Sequence, residues 1–243
     1  MARADDPPTL RLGSRVVGAQ PTVVGVLTRM ETLTATARDP ADYPCHLYEM
    51  RLGEIDPATD WESPCARLAA LGRPVLATLR NQREGGWWID NDPRRRDSFQ
   101  RALALCAAVD VEWQSALRPF VTEAARTAGK PVVYSIHDFA CTPTWSELLD
   151  WVEAIEALPN AVVKIATRAS TPEEIDRLAQ LLNGPRRAPR CVIAMGETAA
   201  DTRVRFAQAG SCLAYGWLDQ PTAPGQPSCR ELLQALHCDW PSP

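Results

Sequence analysis

Lysine is the scarcest charge in this chain. Of 26 basic residues in 243, only Lys130 and Lys164 are lysines. Arginine supplies the rest, and a guanidinium stays protonated, so any step that needs a neutral side-chain amine falls to one of two positions. Histidine is nearly as rare, at His46, His137 and His237, and no spacing of these with cysteine reads as a zinc site. No stretch approaches the roughly 18 apolar residues of a membrane-spanning helix. The polar start Met1-Ala2-Arg3-Ala4-Asp5-Asp6-Pro7-Pro8 lacks the apolar core of a signal peptide. The expectation is a soluble, cytoplasmic protein. The eight cysteines, at 45, 65, 106, 141, 191, 212, 229 and 238, include no Cys-x-x-Cys pair. A chain this long needs no disulfide framework, so they are expected as buried free thiols packing as small hydrophobes. A formal net charge of −4 gives no nucleic-acid footprint. Arg94-Arg95-Arg96, followed by Asp97, is read as the solvated start of a helix.

What is present is a repeating pattern. Short apolar runs of β type stand near 22–28, 46–51, 74–79, 108–113, 131–136, 161–166, 190–195 and 212–216. Helix-like segments lie between them, several with marked starts. Thr171-Pro172 with Glu174, and Thr144 with Glu147, have capping-box spacing. Asn183-Gly184-Pro185 ends the helix that Thr171 begins. Strands apolar on both faces, alternating with helices, mean parallel pairing with helical crossovers. Eight units predict a (β/α)₈ barrel of α/β class spanning 1–243 as one domain. A doubly wound open sheet is the alternative, but no Gly-x-Gly-x-x-Gly follows the first strand. Residues 1–20 do not fit a βα unit. They read as an extension and a hairpin turning at Gly13-Ser14, closing the bottom of the barrel.

Lys164 sits in Ala161-Val162-Val163-Lys164-Ile165-Ala166, a run that reads as a buried strand. Burying an ammonium alone is costly and tends to lower its pKa. A neutral amine attacks carbonyls, which makes Lys164 a candidate Schiff-base nucleophile. The alternative is a lysine whose head reaches solvent. In such a barrel the active site forms at the C-terminal ends of the strands. The polar residues there are Glu49 and Arg51, Arg80 with Glu84 beyond it, Glu112, His137, Lys164, Arg203 after Met195, and the segment 222–226. Each has a plainer reading: a structural histidine, a Glu49–Arg51 ion pair, a surface arginine at 203. Their convergence on one rim suits imine chemistry on a small anionic keto compound.

Several stretches together resemble type I 3-dehydroquinate dehydratase. They are Tyr48-Glu49-Met50-Arg51, Pro74 to Arg80 with Glu84-Gly85-Gly86, Tyr134-Ser135-Ile136-His137-Asp138-Phe139 with Thr142-Pro143, Val163-Lys164-Ile165-Ala166, Met195-Gly196 with Arg203, and Ala223-Pro224-Gly225-Gln226. The resemblance covers nearly the whole chain. It implies a (β/α)₈ barrel, usually dimeric, that converts 3-dehydroquinate to 3-dehydroshikimate in the shikimate pathway without metal or cofactor. It implies Lys164 as the Schiff-base lysine, His137 as general base and then acid, and Glu84 as the acid that orients His137. Arg203 would grip the substrate carboxylate, with Gln226 and Thr222 in the loop after the last strand. Glu49, Arg51 and Arg80 would surround the ring hydroxyls. The loop 217–228 is expected to form a lid, Met195 to pack on the ring or in the core, and Asp138 to bond nearby backbone. Three positions depart from the family's usual pattern: Gly53 replaces an Asp, Thr222 replaces a Ser, and no clear polar residue ends the first strand at Val26-Leu27-Thr28. Another lysine-imine barrel such as a class I aldolase, or a non-catalytic barrel, remains the competing reading.

Overall fold

The computed structural model describes residues 7–196, 201–221 and 225–239. The chain opens with a hairpin, β1 (Leu10–Leu12) and β2 (Arg15–Val17), antiparallel with Leu12 opposite Arg15 across the Gly13-Ser14 turn. Eight parallel strands follow: β3 (Thr22–Leu27), β4 (Leu47–Arg51), β5 (Val75–Thr78), β6 (Ala108–Glu112), β7 (Val132–Asp138), β8 (Ala161–Arg168), β9 (Arg190–Met195) and β10 (Leu213–Trp217). Each is followed by a helix: α1 (Met30–Arg38), α2 (Glu62–Ala70), α3 (Pro93–Leu105), α4 (Arg118–Ala128), α5 (Trp145–Glu156), α6 (Pro172–Gln180), α7 (Thr202–Gln208) and α8 (Cys229–Ala235). Strand order is β10-β3-β4-β5-β6-β7-β8-β9. The ring closes between β9 and β10, where the Cys212 N–H donates to the Arg190 carbonyl at 2.8 Å and Ser211 Oγ accepts the Val192 N–H at 3.0 Å. The predicted barrel is therefore the fold. The capping boxes at Thr144/Glu147 and Thr171/Glu174 are formed, and a third stands at Ser228/Glu231.

Side chains alternate across a strand with period two, and this sorts the barrel into shells. Tyr48, Met50, Val109, Val111, Tyr134 and Ile165 point out into the layer under the helices. Leu47, Leu76, Ala108, Val133, Val162, Cys191 and Leu213 point in and form an apolar floor, into which Leu12 and Val17 of the hairpin pack. The hairpin thus seals the bottom. Two residues further along the same strands, the inward positions become Glu49, Thr78, Asp110, Ser135, Lys164 and Tyr215. The interior changes from hydrocarbon to charge in one step, and that step is where the site begins.

Two sequence expectations are corrected by packing. Arg94 is solvated as expected, but Arg95 is fully buried. On a helix Arg95 shares a face with Phe99 and Ala102, four and seven residues on, and that face meets the barrel. Its charge is met by Glu112, by Asp90 at 2.8 Å and by the Leu79 carbonyl at 2.9 Å. Removing one member of a buried pair strands the other. Arg95→Ala is therefore expected to cost about 3–5 kcal/mol, read as a shift of the urea unfolding midpoint. Among the cysteines, Cys141 is exposed and Cys238 partly so, the other six being buried and free. Cys141 lies in the β7–α5 loop, away from the helix-facing shell.

Candidate active site

Lys164 occupies the middle of β8, 4% exposed, with its Nζ inside the barrel. It does not reach solvent, and it is not buried alone. Asp110 Oδ2 lies 3.0 Å from Nζ and Glu49 Oε1 3.5 Å, while the Tyr215 ring centroid is 4.3 Å away. The expectation of an unpartnered ammonium is corrected: two carboxylates from β4 and β6 and one aromatic face from β10 surround it. Glu49 is fixed in turn by Thr78 Oγ1, which donates to Oε1 at 2.8 Å. Arg51, two residues up β4, is at the mouth, 3.9 Å from Glu49 and 2.8 Å from Glu54.

Arg80, just past the end of β5, is buried among polar partners. It is 4% exposed and donates to Asp110 Oδ1 at 2.9 Å and to Ser135 Oγ at 2.6 Å, with Glu112 at 3.3 Å and Glu84 at 3.9 Å. Ser135 passes its own hydrogen to Asp110 Oδ1 at 2.6 Å. Burial would raise the Asp110 carboxyl, but Arg80 and Lys164 overcome it and hold Asp110 well below the usual carboxylate range. Asp110 is the residue that reading the strand ends missed. It is hidden between Val109 and Val111, and its signal is its position two before Glu112, on the same inward face.

The turn that carries Glu84 is built from the backbone outward. Glu112 Oε1 accepts the Asn81 N–H at 2.7 Å, and Asn81 Oδ1 accepts the Glu84 N–H at 2.9 Å. Gly86 follows because nothing larger fits: a Cβ there would stand 2.1 Å from the Arg80 carbonyl oxygen. Glu84 Oε2 then meets both the His137 N–H and the His137 Nδ1 at 2.9 Å. Burial pushes the Glu84 carboxyl up to about 7, Glu112 and Asp110 adding to it and Arg80 opposing. Burial, then the charges of Arg80 and Lys164, hold the His137 imidazole well below its ordinary value. Phe139 stacks on His137 at 6.4 Å between centroids. Asp138 bonds its own turn, accepting the Ala140 and Cys141 N–H groups at 2.8 and 3.1 Å, as expected.

On the opposite side, Arg203 stands on α7, half-buried, and shares the lining of one small cavity with Tyr215 and Val192. No carboxylate among the described residues pairs with it. Burial lowers the Arg203 guanidinium from its usual value, a shift that an anionic ligand would reverse. Gln226 is buried, and its backbone carbonyl accepts the Trp217 indole N–H at 3.0 Å. The start of the loop after β10 is tied to α1, since Thr32 Oγ1 donates to Asp219 at 2.6 Å and Arg29 pairs with it. Thr222, and with it the centre of the expected lid, lies outside the described residues. Gly53, the departure from the family's Asp, has a local reason. Its φ is +123°, and a Cβ would meet the Trp88 indole nitrogen at 2.8 Å. That nitrogen donates to the Leu52 carbonyl at 2.6 Å, so the indole occupies the space a side chain at 53 would need.

A profile of the family described as type I 3-dehydroquinase matches residues 23–241. A 3-dehydroquinate dehydratase of Pyrobaculum aerophilum is 34% identical over 79% of this chain and 63% of its own length. One from Thermococcus onnurineus is 34% identical over 78% of this chain and 86% of its own. The solved 3-dehydroquinate dehydratase of Geobacillus kaustophilus superposes with a TM-score of 0.84 over 96% of each chain at 23% identity, which speaks to the fold. With a family match over nearly the whole chain and a lysine, a histidine and their acids on one barrel rim, the chain belongs to the type I 3-dehydroquinase family, lyases that dehydrate 3-dehydroquinate through a Schiff base.

Proposed function

We propose that Lys164 forms the Schiff base with the C3 ketone of 3-dehydroquinate and that His137 moves the proton from C2 to the departing C1 hydroxyl, giving 3-dehydroshikimate. The observation that supports this most is the placement of Lys164 Nζ inside the barrel beside fixed acids, two strand positions above the apolar floor. The protonated imine is an electron sink that acidifies C2. His137, on the neighbouring strand β7, carries an imidazole kept neutral at ordinary pH, as a base must be. Glu84 fixes its tautomer. Arg203, with no carboxylate partner among the described residues, suits the substrate carboxylate. Gln226 and Thr222 would act at the same end, and Glu49, Arg51 and Arg80 at the ring hydroxyls. Arg80 also holds Asp110 in place. The same reading carries a homodimer in the cytoplasm, with a small molecule as its substrate.

The test is direct trapping. The protein is mixed with 3-dehydroquinate, reduced with borohydride and mapped by peptide mass. A stable adduct on Lys164 is expected. A folded protein that turns over substrate yet gives no adduct, or gives one elsewhere, removes Lys164 from the mechanism.

A further inference from the structure

We propose that Asp110 is the fixed counter-ion of the Lys164 imine, a pure charge that pairs with the cation at Nζ in the resting ammonium and in the protonated imine and takes no proton itself. The inference deepens the reading of Lys164 as the Schiff-base residue and rests on it. Asp110 divides its two oxygens. Oδ2 faces Lys164 Nζ at 3.0 Å, and Oδ1 is occupied by Arg80 at 2.9 Å and the Ser135 hydroxyl at 2.6 Å. A carboxylate held by a guanidinium and a hydroxyl on one side has a strong reason to stay ionised. Glu49 lies further from Nζ, at 3.5 Å, and spends that same oxygen on the Thr78 hydroxyl.

The chemistry needs such a group. An ammonium and a ketone combine to a protonated imine and one water. The new bond joins Nζ to the carbonyl carbon, the C–O bond breaks, and the oxygen leaves with two of the three ammonium hydrogens. Nζ thus carries one positive charge at the start and one at the end. An anion fixed 3.0 Å away pairs with both states and has nothing to reorganise between them. The other ionisable groups facing this pair are Glu49 from β4, Arg80 at the end of β5 with Glu84 beyond it, His137 from β7, Cys191 from β9 and Tyr215 from β10, with Glu112 on Asp110's own strand. Burial raises the Cys191 thiol to about 11 and the Tyr215 hydroxyl well above its usual value. Neither supplies an anion near neutral pH, and Arg80 is already matched by Asp110 and Glu112.

Asp110→Asn removes the charge at nearly constant shape. An anion favours the cationic imine, so its loss lowers the pKa of that imine. The alkaline limb of kcat is expected to move to lower pH by roughly 1–3 units, with kcat at neutral pH falling about 10- to 100-fold. KM should change only a few-fold, and Lys164 should still be trapped by borohydride because the amine remains. A merely structural role would lower kcat at every pH and leave the limb in place. Ser135→Ala removes one donor to Asp110 and keeps the charge, so its limb should stay where the wild type's is. If Asp110→Asn melts early, Glu49→Gln decides the matter: its limb should move by less than about one unit, and a larger shift would assign the counter-ion to Glu49. A wild-type adduct on Lys164 with an unmoved limb in folded Asp110→Asn overturns the counter-ion alone. No wild-type adduct overturns the Lys164 assignment and the counter-ion with it.

Discussion

Lys164→Arg is expected to abolish dehydration, with kcat lower by on the order of 10⁴-fold or more. The variant keeps a positive charge in the position that Asp110 and Glu49 surround, so the electrostatics of the resting site are largely preserved. What it loses is nucleophilicity, since a guanidinium stays protonated and cannot condense with a ketone. The residue is also difficult to replace functionally from within the chain. The second lysine, Lys130, lies in the loop before β7, and its Nζ donates to the Cys106 carbonyl at 2.9 Å. The strand begins where the active site is not, because chemistry in this architecture is at the C-terminal ends. The measurement is steady-state turnover of 3-dehydroquinate beside a thermal melt. A variant that melts near the wild type and retains turnover within tenfold would exclude the imine. The near-absence of lysine, the first oddity of the sequence, thus makes this one substitution unusually clean.

The barrel was legible because it is written in a local code. Apolar runs at regular spacing, Thr-x-x-Glu caps and the Gly13-Ser14 turn each depend on neighbours within a few residues. The candidate site was legible where a polar residue interrupted or ended an apolar run, as Glu49, Arg51, His137 and Lys164 do. It was not legible where the meaning of a residue is set by strands far apart in sequence. Lys164 reads as an unpartnered charge in an apolar run, and its partners come from positions 49 and 110. Asp110 reads as a blemish in Val109-Asp110-Val111 until the barrel turns it inward beside Arg80. Arg95 reads as one of three surface arginines until α3 packs and Glu112 claims it. In each case the missing information is which faces meet, and period-two counting down from Glu112 is the single local rule that recovers Asp110.

His137→Gln is expected to lower kcat by about 10³-fold or more, within the range for loss of a positioned acid–base group, while leaving the imine with Lys164 able to form and be trapped. This asymmetry would separate the two proposed roles: Lys164 builds the electron sink, and His137 moves the proton from C2 to the departing hydroxyl. The pH profile carries the rest. With Glu84 ionised, its Oε2 accepts both the His137 N–H and the Nδ1–H, so the lone pair is on Nε2, free to act as base. When Glu84 takes up a proton it donates to Nδ1 instead, the imidazole hydrogen moves to Nε2, and the base is lost. Since burial raises Glu84 to about 7, activity should fall as pH drops through that region, and the limb belongs to the Glu84–His137 pair as a unit. Glu84→Gln discriminates. Its amide oxygen can accept the same two hydrogens and keep the tautomer, but it does not titrate. The variant should therefore retain part of the wild-type rate and lose the limb near 7. If His137→Gln turns over at close to the wild-type rate, or if Glu84→Gln keeps the limb unmoved, the proton does not travel through this pair and another group on the rim must carry it.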